Sequence, residues 1–155
     1  MKNIRIKGIG LIEVLIVFAV MGVLVLIALP QFSKLKENQV LRTSVSDTVS
    51  AVNKAHSRTL ASVNSYSYGV HFQSDKVIIF RGTTFSASDP LNEQINIVSP
   101  ASITNVTLNG SSGTSGNFYF NRLSGSPSKT GTITISAASS TKIITISATG
   151  AASSN

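Results

Sequence analysis

Few residues in this chain of 155 have side chains that do chemistry, and only one of them sits where its presence demands an explanation. Glu13 interrupts the start of an apolar run that extends from Gly8 to Pro30, and from Val14 to Leu29 nothing is polar. A carboxylate well inside a membrane-spanning helix costs roughly 3 kcal/mol on insertion scales, so such a group usually has a partner and a task. The competing structural explanation places Glu13 near the membrane interface, where its cost is small. The remaining reactive types are scattered. His56 falls on the packing stripe of a helical pattern and His71 on the polar phase of a strand pattern, and the acids near them are Asp47, Asp75, Asp89 and Glu93. That set is too dispersed to suggest a metal site. Gly8-Ile9-Gly10 lacks the preceding strand of a dinucleotide loop, and Glu13 stands where its third glycine belongs. The Gly110–Gly116 run contains no nucleophile elbow. Asn105-Val-Thr107 and Asn109-Gly-Ser111 match the glycosylation pattern, which is common by chance in chains of this composition. With no cysteine there is neither thiol chemistry nor a disulfide. The residues therefore predict no catalytic, cofactor or metal site.

The element that carries Glu13 is a helix suited to a bilayer. At 1.5 Å per residue, 9–29 is about 31 Å long, close to the roughly 30 Å of the hydrocarbon core. Lys2, Arg5 and Lys7 precede it, and the flank rich in cations stays cytoplasmic. The expected placement is single-pass in the cytoplasmic membrane, N-terminus inside and the C-terminal part outside. A cleaved secretory signal also combines a basic start with an apolar run. Here the run is longer than such a signal needs, and Leu29-Pro30-Gln31-Phe32 is a poor cleavage site. A plain signal anchor is the remaining alternative.

Gly8-Ile9-Gly10-Leu11-Ile12-Glu13-Val14-Leu15-Ile16 resembles the N-terminal motif of type IV pilins and type II secretion pseudopilins. In that family a basic leader ends in Gly, a prepilin peptidase cuts after it, and the new N-terminus is methylated. The resemblance implies a leader at 1–8, cleavage between Gly8 and Ile9, and N-methylation of Ile9. Glu13 is then the fifth residue of the mature chain, as in the family, and Pro30 matches its Pro at position twenty-two. Two residues depart from the usual pattern, Ile9 for Phe and Gly10 for Thr. The implied role of Glu13 and Pro30 is subunit assembly. Subunits wait in membrane lipid, then pack their 9–30 helices into a filament on an inner-membrane assembly platform. The Glu13 carboxylate pairs with the α-amino group of Ile9 on a neighbour, so that a buried charge has a partner. Pro30 cannot donate a backbone hydrogen bond and would kink or locally melt the helix.

Beyond the leader, ten basic face six acidic side chains, a modest net of +4, with no run of cations. From 31 to 62 the helical pattern continues and becomes amphipathic. Leu41, Val45, Val49, Val52, His56 and Leu60 form an apolar-leaning stripe, facing away from Arg42, Asp47, Asn53, Lys54 and Arg58. From 63 to 155 the chain reads as a β-rich exported domain. Strands are expected at 66–73 and 76–81, joined by a turn at Ser74-Asp75, then at 93–98, 103–108 and 117–120. The last hairpin, 131–136 with 142–147, puts Ile133, Ile135, Ile144 and Ile146 on one face. The stretch 109–116 reads as a mobile Gly/Ser loop and 150–155 as a small-residue tail. The fold expected is α+β, a long N-terminal helix whose amphipathic half packs on an antiparallel sheet, as in pilins.

The arrangement of Phe120, Gly125, Pro127, the Gly131-led hairpin and Gly150, with Tyr68-Gly69-Val70-His71-Phe72 after the helix, resembles the H-type minor pseudopilins and related minor pilins. The resemblance implies a structural subunit of a secretion pseudopilus or type IV pilus, supporting protein secretion or pilus biogenesis. Its implied partners are the prepilin peptidase, other pilin or pseudopilin subunits and the assembly platform. Two alternatives belong to other classes: a DNA-binding minor pilin of natural transformation, or a simple membrane-anchored extracytoplasmic domain or enzyme. DNA binding through the tail is disfavoured, because Thr149–Asn155 carries no cation and the nearest are Lys142 and Lys129, with Arg81 and Arg122 elsewhere.

Overall fold

The structure, a computed structural model, describes residues 10–138 and 140–155. The chain divides into two units, Met1–Lys36 and Glu37–Asn155. One helix, α1 (Leu11–Leu60), contributes to both. Its residues up to Lys36 make up the described part of the first unit apart from Gly10. Those from Glu37 pack within the second. The helix is one of length and composition sufficient to cross a membrane. Of the kink or local melting expected at Pro30, the melting does not occur, since the helix runs without a break through that residue. A proline in a helix interior removes one hydrogen bond, and the cooperative turns on either side can carry that loss.

The second unit is α+β, with the Glu37–Leu60 part of α1 laid on two antiparallel sheets. A short 3₁₀ turn at Val63–Ser65 leads into β1 (Tyr68–Gln73) and β2 (Lys76–Arg81). Next come β3 (Glu93–Asn96), β4 (Ala101–Leu108), β5 (Ser111–Gly113) and β6 (Gly116–Tyr119). The chain finishes with β7 (Gly131–Ala137), β8 (Ser140–Ile146) and β9 (Ala152–Ser154). The first sheet has the order β3-β2-β1-β6 and the second β5-β4-β7-β8-β9.

One core joins all three layers. Leu41, Val45, Ala51, Val52 and Ala55 from α1 meet Val70, Phe72, Val77, Ile79 and Phe118 from the first sheet. Ile103, Val106, Ile133, Ile135, Ile144 and Ile146 close the core from the second sheet. The four expected isoleucines of the last hairpin are all buried, as their period-two spacing required.

Three expectations are corrected here. The stretch 109–116 is not simply a loop: it contains β5, which pairs with β4 through Val106–Gly113, Thr107–Ser112 and Leu108–Ser111. The tail forms β9, paired with β8 at Ile144–Ser154 and Ile146–Ala152. The helix stripe also lies differently. Leu60 is exposed and His56 only half-buried, whereas Ser44, Thr48 and Thr59 are buried. Small polar residues are admitted because the helix satisfies them locally: the Thr48 hydroxyl donates to the Ser44 carbonyl at 2.7 Å and that of Thr59 to the Ala55 carbonyl at 2.9 Å.

Candidate functional site

Among the described residues nothing within its own unit covers the apolar segment of α1. From Leu11 to Ile27 the large apolar side chains are between 42% exposed (Val14) and 80% exposed (Leu11). A helix apolar on every side belongs in lipid or against other apolar helices. Ala19, Val20, Val23 and Leu24 border a shallow apolar hollow, and at the nearby Gly22 a methyl group would meet nothing within 4 Å. Close approach of a second backbone is easiest at such a small residue.

Glu13 lies in the first turn of this helix and is exposed. Its amide donates to the Gly10 carbonyl at 2.9 Å, and that of Val14 reaches the same oxygen at 3.4 Å. The carboxylate therefore sits at the positive end of the helix dipole, where an anion is favoured. Gly8 and Ile9, the expected cleavage and methylation residues, lie outside the described residues, as do Lys2, Arg5 and Lys7. Pro30 lies in the helix backbone, far along the chain from Glu13, and the two do not form one local site.

In the second unit, the polar groups tie elements together. Glu93 on β3 receives Lys54 and Arg58 from α1, the Arg58 Nη1 to Oε2 distance being 2.9 Å. Hydrogen bonding from Lys54 first, with Arg58 adding to it, holds the Glu93 carboxyl below its usual range against a smaller opposing effect of burial. Arg58 also lies over the Tyr68 ring at 5.8 Å. The sequence placed Lys54 and Arg58 on a common outward helix face, but their shared partner, 39 residues beyond Lys54, was not readable from spacing.

His56 packs at 4.9 Å from Phe120, beneath two turns that meet over its ring. A methyl group built on Gly125 or Gly150 would fall 2.6 Å or 2.9 Å from its Nε2 atom, so both turns need glycine, each at positive φ. This is a packing role. His71 stacks on Phe85 at 3.9 Å with an interplanar angle of 8°. Phe85 in turn meets the Phe80 ring edge-on at 5.5 Å. Phe85, from the loop after β2, thus covers His71 on the outer face of the first sheet, while Tyr68, Val70 and Phe72 of β1 are buried as their alternation required. Burial lowers the pKa of His71, and its Nδ1 has no hydrogen-bond partner. Among the described residues no group of three His, Asp or Glu side chains converges to hold a metal.

Together the fold and the helix define a class: an α+β domain whose N-terminal helix is long and apolar enough to cross a membrane. Comparison with protein-family models, with curated proteins and with solved structures finds no match.

Proposed function

We propose that this chain is a structural filament subunit of the pilin and pseudopilin kind, processed after Gly8 and assembled through its N-terminal helix. The observation that carries this reading is a helix apolar on every side from Leu11 to Ile27, interrupted by one carboxylate in its first turn. A lipid anchor needs the apolar surface but gains nothing from Glu13. A helix that leaves lipid to pack against its own kind can use the carboxylate to set register, because the charge must find its partner before it is buried. The spacing of Gly8, Glu13 and Pro30 supports the same reading. Insertion begins with the N-terminus inside and the second unit outside, and ends with the subunit in an extracytoplasmic filament. The absence of cations in Thr149–Asn155, and the pairing of part of that segment into β9, speak against a DNA-binding tail.

The test is the intact mass and N-terminal sequence of the protein recovered from membranes of cells with an active prepilin peptidase. A mature chain beginning at methylated Ile9 is expected. A chain that keeps Met1 to Gly8 under those conditions would overturn the proposal and leave an ordinary anchored domain.

A further inference from the structure

Within the second unit an open groove of about 400 Å³ runs between α1 and the β8–β9 end of the second sheet. Its lining is chemically one-sided. Arg42 contributes a guanidinium from the helix, Lys142 an ammonium from β8, and Ser46, Ser50 and Ser154 contribute hydroxyls around a floor of Val45 and Val49. Among the described residues no Asp or Glu side chain lines it; Glu37 and Asp47 are the acids of this part of the helix and neither borders the groove. The chain has no Asp or Glu after Glu93, so the sheet side of the groove offers no acidic side chain. Among the described residues Arg42 and Lys142 enter no ion pair, whereas Lys54 and Arg58 on the opposite flank of the helix are both engaged by Glu93.

We propose that this groove binds a phosphate-bearing anion. Two cations on opposing walls match a dianion better than a single charge. A guanidinium offers the planar fork that takes two phosphate oxygens at once. The serine hydroxyls can donate to the remaining oxygen, and the valine floor suits a carbon body attached to the phosphate. A free phosphorylated small molecule and a lipid headgroup share this chemistry. The site is independent of the filament reading, since every lining residue belongs to the second unit.

The test uses the full chain in a neutral detergent, with backbone amide shifts followed at Ser46, Ser50 and Ser154. Three probes are titrated: inorganic phosphate, glycerol 3-phosphate, and dihexanoyl phosphatidic acid kept monomeric. Saturable shifts at these serines are expected, weakened about tenfold in Arg42→Gln and again in Lys142→Gln, the loss for one charge-assisted hydrogen bond. Both side chains are exposed, so neither variant should change the thermal midpoint. Binding of the first two probes identifies a free ligand, and binding of the lipid analogue alone identifies a headgroup. Failure of all three probes to saturate, or equal affinity in the double variant, would overturn the proposal.

Discussion

Gly69→Ala adds one methyl group to a position where the folded domain has no room for it. Gly69 sits on β1 directly opposite Phe80 on β2 and Tyr119 on β6. A methyl group there would lie 2.6 Å from the Phe118 carbonyl oxygen and 2.7 Å from Cε1 of Phe80. Neither neighbour can yield freely. The carbonyl belongs to a strand held by the β1–β6 ladder, and Phe80 is only 1% exposed, with Phe85 against its edge. Overpacking of this kind costs up to about 3 kcal/mol. The lower chain entropy of unfolded alanine returns up to about 1 kcal/mol, leaving a net loss of about 2 kcal/mol. For a folded unit of this size that is a fall of about 8 °C in midpoint. Near-UV circular dichroism of the full chain in neutral detergent reports it, because all three tyrosines (Tyr66, Tyr68, Tyr119) lie in the second unit. Adding Phe80→Leu removes the ring atoms but leaves the carbonyl, so the double variant should lose less than the two single losses combined. A Gly69→Ala midpoint within about 2 °C of the parent would refute the close-packing argument.

Two further outcomes follow from buried polar groups. Thr59→Val should cost about 1–3 kcal/mol and speed hydrogen exchange at the Tyr68 amide, which donates to the Thr59 hydroxyl at 2.9 Å, while Thr59→Ser should retain most of the stability in the same denaturant titration. His71 has a lowered pKa in the folded chain, so below its ordinary value of 6.5 the unfolded chain binds more protons than the folded one. Stability should therefore fall as the pH drops through that value, and His71→Gln should flatten that part of a urea-midpoint profile.

What could be read in the sequence, and what could not, divides along physical lines. The Ile133, Ile135, Ile144 and Ile146 face was legible because period-two alternation of β-branched residues is a strong local pattern. The ends of β2 and the Ser74-Asp75 turn were legible for the same local reason. β5 and β9 were not, because Ser111-Ser112-Gly113 and Ala152-Ser153-Ser154 have little preference for extended structure and are ordered by the strands beside them. Thr59 was not singled out, since its value lies in serving Tyr68, nine residues away on another element. Of the site, the carboxylate and its apolar setting were visible as composition. The groove was not, because Arg42 and Lys142 are brought together only by the packing of α1 beside β8.

The second sheet also bears on how such a domain could live at high local concentration beside copies of itself. Its long inner strands, β4, β7 and β8, carry the hydrogen-bonding capacity that another chain could extend. Each side of that trio ends instead in a three-residue strand, β5 or β9, built of serine, glycine and alanine. Strands so short, and with so little side chain to pack, offer an incoming edge few bonds and almost no apolar grip. Residues that look like filler in the sequence thereby protect against edge-to-edge aggregation, and lengthening either with β-branched residues would create the sticky margin the present chain lacks.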